Sequence, residues 1–137
     1  MFLLPLLLAF SPPVCTPTYY RFDLLRQHET FLIHGLWIEQ CKECLSCGYP
    51  SYCPQSTCDI ANDCHFNISE LAPIKDELDK YWFNGTNLLQ HEYCKHGTCT
   101  NLTEYEYFAT ALKIYKTLDL DKCDYSKKEC WFYFNST

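Results

Sequence analysis

Residues 31–37 read Phe31-Leu32-Ile33-His34-Gly35-Leu36-Trp37. Apart from His34, every side chain in this run is apolar or absent, which predicts a strand at the centre of a sheet. The histidine does not fit that setting. An imidazole in an apolar strand costs free energy unless it finds a partner. His34 is therefore the first candidate for chemistry. Residues 19–25, just upstream, are partly aromatic and apolar and predict a second strand.

A second anomaly is His91-Glu92-Tyr93-Cys94-Lys95-His96-Gly97-Thr98-Cys99. On a helix, Lys95 and His96 would share a face with Glu92, and His91 would meet Lys95 one turn on. Packing alone does not ask for a carboxylate, two imidazoles and an ammonium in one place. Imidazole, with an ordinary pKa of about 6.5, both takes and gives a proton near neutral pH. A lysine neutralises charge that builds on a phosphoryl group. With His34 added, these are the parts for RNA transesterification. One histidine removes the 2′-hydroxyl proton and the other protonates the departing 5′-oxygen. The RNA carries its own nucleophile, so the reaction calls for no metal and no cofactor.

Other chemistries fit less well. A zinc-protease helix needs His-Glu-x-x-His, and His96 falls one residue too late. Cys41-x-x-Cys44-x-x-Cys47 has metal-ligand spacing, but in an oxidising compartment such cysteines form disulfides. A serine or cysteine hydrolase has no nucleophile-elbow motif to point to. Only four glycines occur, so there is no Gly-rich phosphate loop. A disulfide-rich binding module would leave the histidines incidental.

The rest of the chain predicts an α+β fold: a small antiparallel sheet packed against several helices and held by disulfides. Leu71, Ile74, Leu78 and Tyr81 recur at helical spacing, with Ser69 as N-cap and Pro73 in the first turn. Residues 90–96 predict a short helix stopped by Gly97. Thr103 and Glu106 form a capping box ahead of an apolar face of Tyr105, Phe108, Leu112 and Tyr115. Residues 130–134 predict a last strand. Residues 41–64 form a long loop with six cysteines, which cross-links must hold.

Residues 1–10 are apolar and uncharged, too short to span a bilayer, which needs about 20 residues. Residues 1–15 are expected to be a signal peptide, against a buried strand or helix, with 16–137 a single catalytic domain. Of the eleven cysteines, Cys15 would leave with that leader, and ten would make five bridges. Asn67, Asn84, Asn101 and Asn135 head sequons for glycosylation. No second apolar run suggests a membrane span. The net charge of −6 argues against a general nucleic-acid coat, which needs a basic stripe, but not against gripping one phosphate.

The two histidine segments resemble those of the ribonuclease T2 family of secreted acid ribonucleases. Residues 31–37 look like the family's Phe-Thr-Ile-His-Gly-Leu-Trp-Pro, and residues 91–99 like its His-Glu-Trp-x-Lys-His-Gly-Thr-Cys. The resemblance covers about residues 19–120. It implies that His34 is the general acid, His96 the base, Glu92 and Lys95 stabilisers of the phosphorane, and His91 a phosphate ligand. It implies that Trp37 stacks on a base, that Glu39 reads the base, and that Cys99 bridges to Cys53, Cys58 or Cys64. RNA is then the partner, the chain a monomer, and its place outside the cell or in the secretory or lysosomal lumen.

Three departures stand out. Ile38 replaces the family's proline, Tyr93 replaces its tryptophan, and Cys94 is unusual inside the second segment and suggests an extra bridge. The C-terminal half is short, with residues 123–134 expected to serve as a reduced hairpin. The alternative to an enzyme is a secreted, family-like binding protein with impaired catalysis.

Overall fold

Strand β1 (Pro17–Gln27) is the middle strand of a three-stranded antiparallel sheet, flanked by β2 (Thr30–Cys41) and β3 (Glu129–Asn135). The computed structural model describes residues 15–53 and 64–136. Residues 1–14 of the expected leader and Cys58 lie outside the described residues. A tight turn at His28 and Glu29 joins β1 to β2, with His28 at φ 60°.

The run at 31–37 therefore lies in a flanking strand of this sheet, not at its centre as its apolarity suggested. Its apolar character has another cause. Asp23 pairs with Gly35 and Leu24 with Ile33, so His34 is an extra residue, a β-bulge. The bulge reverses the alternation of faces. Phe31 and Ile33 before it and Leu36 and Ile38 after it are all buried.

The outer edge of β2 is covered. The carbonyls of Phe31, Ile33 and Leu36 accept hydrogen bonds from the Tyr115 hydroxyl at 2.6 Å, the Phe83 amide at 2.7 Å and the Tyr107 hydroxyl at 2.7 Å. These three carbonyls, which would otherwise invite another strand, thus have donors.

Three α-helices occur among the described residues: α1 (Lys75–Tyr81), α2 (Leu89–Lys95) and α3 (Glu104–Thr117). A 3-10 segment, Ile68–Ile74, precedes α1 and holds Pro73. Its cap is Asn67, not Ser69, because the Asn67 side chain accepts the Ser69 amide at 3.1 Å. The expected capping box on α3 is present. The buried face of α3 comprises Tyr107, Phe108, Ala111, Leu112 and Tyr115. Tyr105 lies at the rim of that stripe in the first turn and is exposed.

Five disulfides link Cys15 to Cys41, Cys44 to Cys47, Cys53 to Cys99, Cys64 to Cys94 and Cys123 to Cys130. Cys15 is thus paired and buried, whereas the sequence reading places it in the leader. The candidate metal ligands Cys41, Cys44 and Cys47 are all in bridges. Residues 123–134 give one strand, β3, paired with β1, and no hairpin among the described residues. Asn67, Asn84, Asn101 and Asn135 are all exposed. No helix among the described residues is long and apolar enough to cross a membrane.

The Tyr107 tether can be tested. Tyr107→Phe leaves the Leu36 carbonyl buried without its donor and should lower stability by about 1–3 kcal/mol in equilibrium denaturation. An unchanged unfolding midpoint would show that the bond does not hold α3 to β2.

Candidate active site

A cleft of about 370 Å³ opens where β1, β2 and α2 meet. Strand β1 contributes Arg21, β2 contributes His34, Trp37 and Glu39, and the α2 segment contributes His91, Glu92, Lys95 and His96. Tyr49, on the loop after β2, forms the remaining wall. All seven candidate residues of the sequence reading line this one cleft.

Local structure explains how they arrive there. The bulge turns His34 out of the core side of β2, leaving its side chain 25% exposed instead of buried. Helix α2 carries Glu92 inward, fully buried, while His91 one position earlier stays half exposed. His96 is the C-cap of α2, its amide bonded to the Glu92 carbonyl at 3.0 Å. The Cys53–Cys99 and Cys64–Cys94 bridges pin the end of α2 to the cysteine-rich loop.

Trp37 is the pivot of the site. Its indole N–H donates to Glu92 Oε1 at 2.8 Å. One face of its ring stacks on His96 at 4.9 Å and 28°, and His34 meets it edge-on at 4.9 Å. Gly35 makes room for this. A Cβ there would fall 2.2 Å from Trp37 Nε1 and 2.4 Å from Glu92 Oε1. The other oxygen of Glu92 lies 3.9 Å from His34 Nε2 and 3.8 Å from His91 Nε2. Lys95 extends over the Tyr49 ring, 5.9 Å from its centre.

The two central histidines are driven in opposite directions. Burial pulls His34 down, but its hydrogen bond with Asp23 and the charges of Glu92, Asp23 and Glu129 outweigh that and raise its pKa. Burial, followed by Lys95, His91 and His34, lowers His96 to about 3. Burial and Lys95 also lower His91. Burial raises Glu92, against the Trp37 hydrogen bond and the nearby cations. One imidazole is thus biased toward its protonated form and the other toward its neutral form, with a carboxyl beside His34 that takes a proton more readily than usual.

Three contributors went unread in the sequence. Asp23, wholly buried, sits 2.9 Å from His34 Nδ1, and Arg21 contacts Asp23 at 2.9 Å. Tyr49 closes the cleft. Only Asp23 left a trace, as a charge between the apolar Phe22 and Leu24. The ligand atoms of Asp23, His34 and Glu129 lie within 4.8 Å of one another and could hold a cation. Arg21 already supplies one there, 2.9 Å from Asp23 and 3.3 Å from Glu129.

The profile of the Ribonuclease T2 family matches residues 2–127. Ribonuclease DdI of Dictyostelium discoideum is 31% identical over 103 residues, covering 69% of this chain and 41% of that protein. Ribonuclease T2-A of Mus musculus is 27% identical over 124 residues, covering 82% of this chain and 40% of that protein. The chain thus spans about two fifths of the length of these curated relatives. Among solved structures, RNase NT in complex with 5′-AMP superposes with a TM-score of 0.55 at 22% identity, covering 74% of this chain and 57% of that one. That similarity supports the α+β fold. With a family profile covering most of its length, the chain belongs to the ribonuclease T2 family.

Proposed function

We propose that the chain is a secreted endoribonuclease that cuts single-stranded RNA by metal-independent transesterification through a 2′,3′-cyclic phosphate. The observation that carries this is the pair of histidines, His34 and His96, lining one cleft with opposite pKa shifts. His96 Nδ1 is buried without a partner among the described residues, so Nε2 is the nitrogen that meets substrate. His96 takes the 2′-hydroxyl proton and the 2′-oxygen attacks phosphorus. The bond from phosphorus to the 5′-oxygen breaks, and His34 gives that oxygen its proton. The products are a cyclic phosphate and a 5′-hydroxyl.

Lys95 offsets charge on the phosphoryl oxygens, Glu92 acts with it in stabilising the phosphorane, and His91 binds the phosphate. Trp37 and Glu39 meet the base beside the scissile phosphate. Family membership supports RNA as substrate. Five disulfides suit an oxidising compartment, and the four exposed sequon asparagines suit glycosylation there. The leader in this proposal ends before Cys15, and the mature chain acts as a monomer. The second reading, a binding protein without effective catalysis, draws on the short span relative to the relatives.

With EDTA present, His34→Ala and His96→Ala should each slow cleavage of a short RNA by about 10²–10⁴-fold. A folded, oxidised wild type that binds RNA yet cuts none at any pH would favour the binding-protein reading. Loss of wild-type activity to EDTA would contradict the metal-independent mechanism.

The pKa shifts support a specific pH profile. The base must be neutral, so activity falls as pH drops through the His96 value near 3. The acid must be protonated, so activity falls as pH rises through the His34 value, above its ordinary 6.5. The expected kcat/KM profile is a bell with an acidic-to-neutral optimum, and a flat profile from pH 4 to 9 would rule out these roles.

Gly35→Ala should force Trp37 and Glu92 apart and reduce kcat/KM by about 100-fold, the usual cost of an ångström of misplacement. Near-normal activity would mean that the indole–carboxylate contact is dispensable.

A further inference from the structure

We propose that Asp23 is a positioning residue for His34: it fixes the imidazole with Nδ1–H toward β1 and Nε2 toward the leaving oxygen, and Arg21 holds Asp23 in that role. The inference rests on the ribonuclease reading and adds a residue to it.

Asp23 is fully buried in the middle strand, flanked by the buried Phe22 and Leu24. A charge there is costly unless each oxygen is matched by a donor. Here each is. Oδ1 accepts from Arg21 Nε at 3.2 Å and Nη2 at 2.9 Å, and Oδ2 meets His34 Nδ1 at 2.9 Å. The backbone allows the contact. Asp23 lies opposite Gly35, and the bulge adds His34 beside that pair, within hydrogen-bond reach of the Asp23 carboxylate.

A carboxylate is an acceptor only, so the contacting ring nitrogen carries a proton. His34 then presents Nε2 to the cleft whichever charge state it is in. It offers a proton there when cationic and a bare nitrogen after giving that proton up. Arg21 is itself fixed by Glu129 at 3.3 Å and by its guanidinium lying over Trp131, 4.4 Å from the ring centre. The charged and titratable groups around His34 are Asp23 and Arg21 on β1, Glu129 on β3, and Glu92, His91 and His96 on the α2 segment. Neutralising Asp23 leaves two carboxylates in place. The His34 pKa should therefore move down without collapsing.

A role in positioning an acid is separable from a role in folding by the leaving group. A nucleoside 5′-oxygen needs a proton to depart, whereas p-nitrophenolate does not. Wild type, Asp23→Asn, His34→Ala and His96→Ala are compared on a dinucleoside monophosphate and on the p-nitrophenyl ester of a nucleoside 3′-phosphate. Asp23→Asn should lower kcat on the dinucleotide by about 10- to 100-fold with little change in KM. It should cost less than about 3-fold on the aryl ester, and its alkaline limb should shift to lower pH. His34→Ala should show the same split, and His96→Ala should lose both substrates.

Equal loss of both substrates by Asp23→Asn with an unshifted alkaline limb, or no loss on either, would overturn the positioning role. Wild type inactive on both would instead overturn the ribonuclease reading on which the role rests. Nitrogen-15 spectra of the wild type test the contact without any variant. The neutral form of His34 should be the Nδ1–H tautomer, and a dominant Nε2–H tautomer would contradict the proposal.

Discussion

Strand β2 carries one residue more than β1 between Ile33 and Gly35, and that residue is His34. The site depends on this bulge. Without it, strict alternation would put Phe31 and Ile33 on one face and Leu36 and Ile38 on the other, and one pair would face water. With it, all four reach the core, and His34 is turned toward the cleft. The next residue must then be glycine, because Trp37 and Glu92 meet where a Cβ would stand. The bulge, the glycine and the indole–carboxylate bond form one linked device.

The electrostatics follow from depth and company. His34 lies among three carboxylates and is pushed toward the charged form. His96, deeper and beside Lys95 and His91, is pushed toward the neutral form. Two copies of one side chain are thus pulled apart in affinity for protons, as an acid–base pair requires. Burial works against the charge in both. Only at His34 do neighbouring carboxylates outweigh it.

Much of the site was legible in the sequence. His34 stood out as a polar residue in an apolar run, and residues 91–96 as a cluster that no packing demand explains. The capping box before α3 was legible because capping is local: Thr103 and Glu106 need only each other. What escaped was non-local. The place of β2 at the flank rather than the centre depends on where β3 returns along β1, more than 100 residues later in the chain. The run looked central because apolarity reports burial and not strand order. The assignment of Cys15 to the leader came from parity, which counts cysteines without knowing which pair meets in space. Asp23 escaped notice because its partner is across a strand pair, and an aspartate beside an arginine two residues away reads as an ordinary surface ion pair.

In the proposed reaction the RNA attacks itself, and the product would record that step. The most direct test is the phosphorus-31 spectrum of a dinucleoside monophosphate and its 2′-deoxy analogue, each incubated with the oxidised protein in EDTA. The ribose substrate should give a 2′,3′-cyclic phosphate as the first product, and the deoxy analogue should stay intact. Cleavage of the deoxy analogue, or a linear monophosphate formed with no cyclic precursor, would contradict catalysis by His34 and His96 through the 2′-hydroxyl.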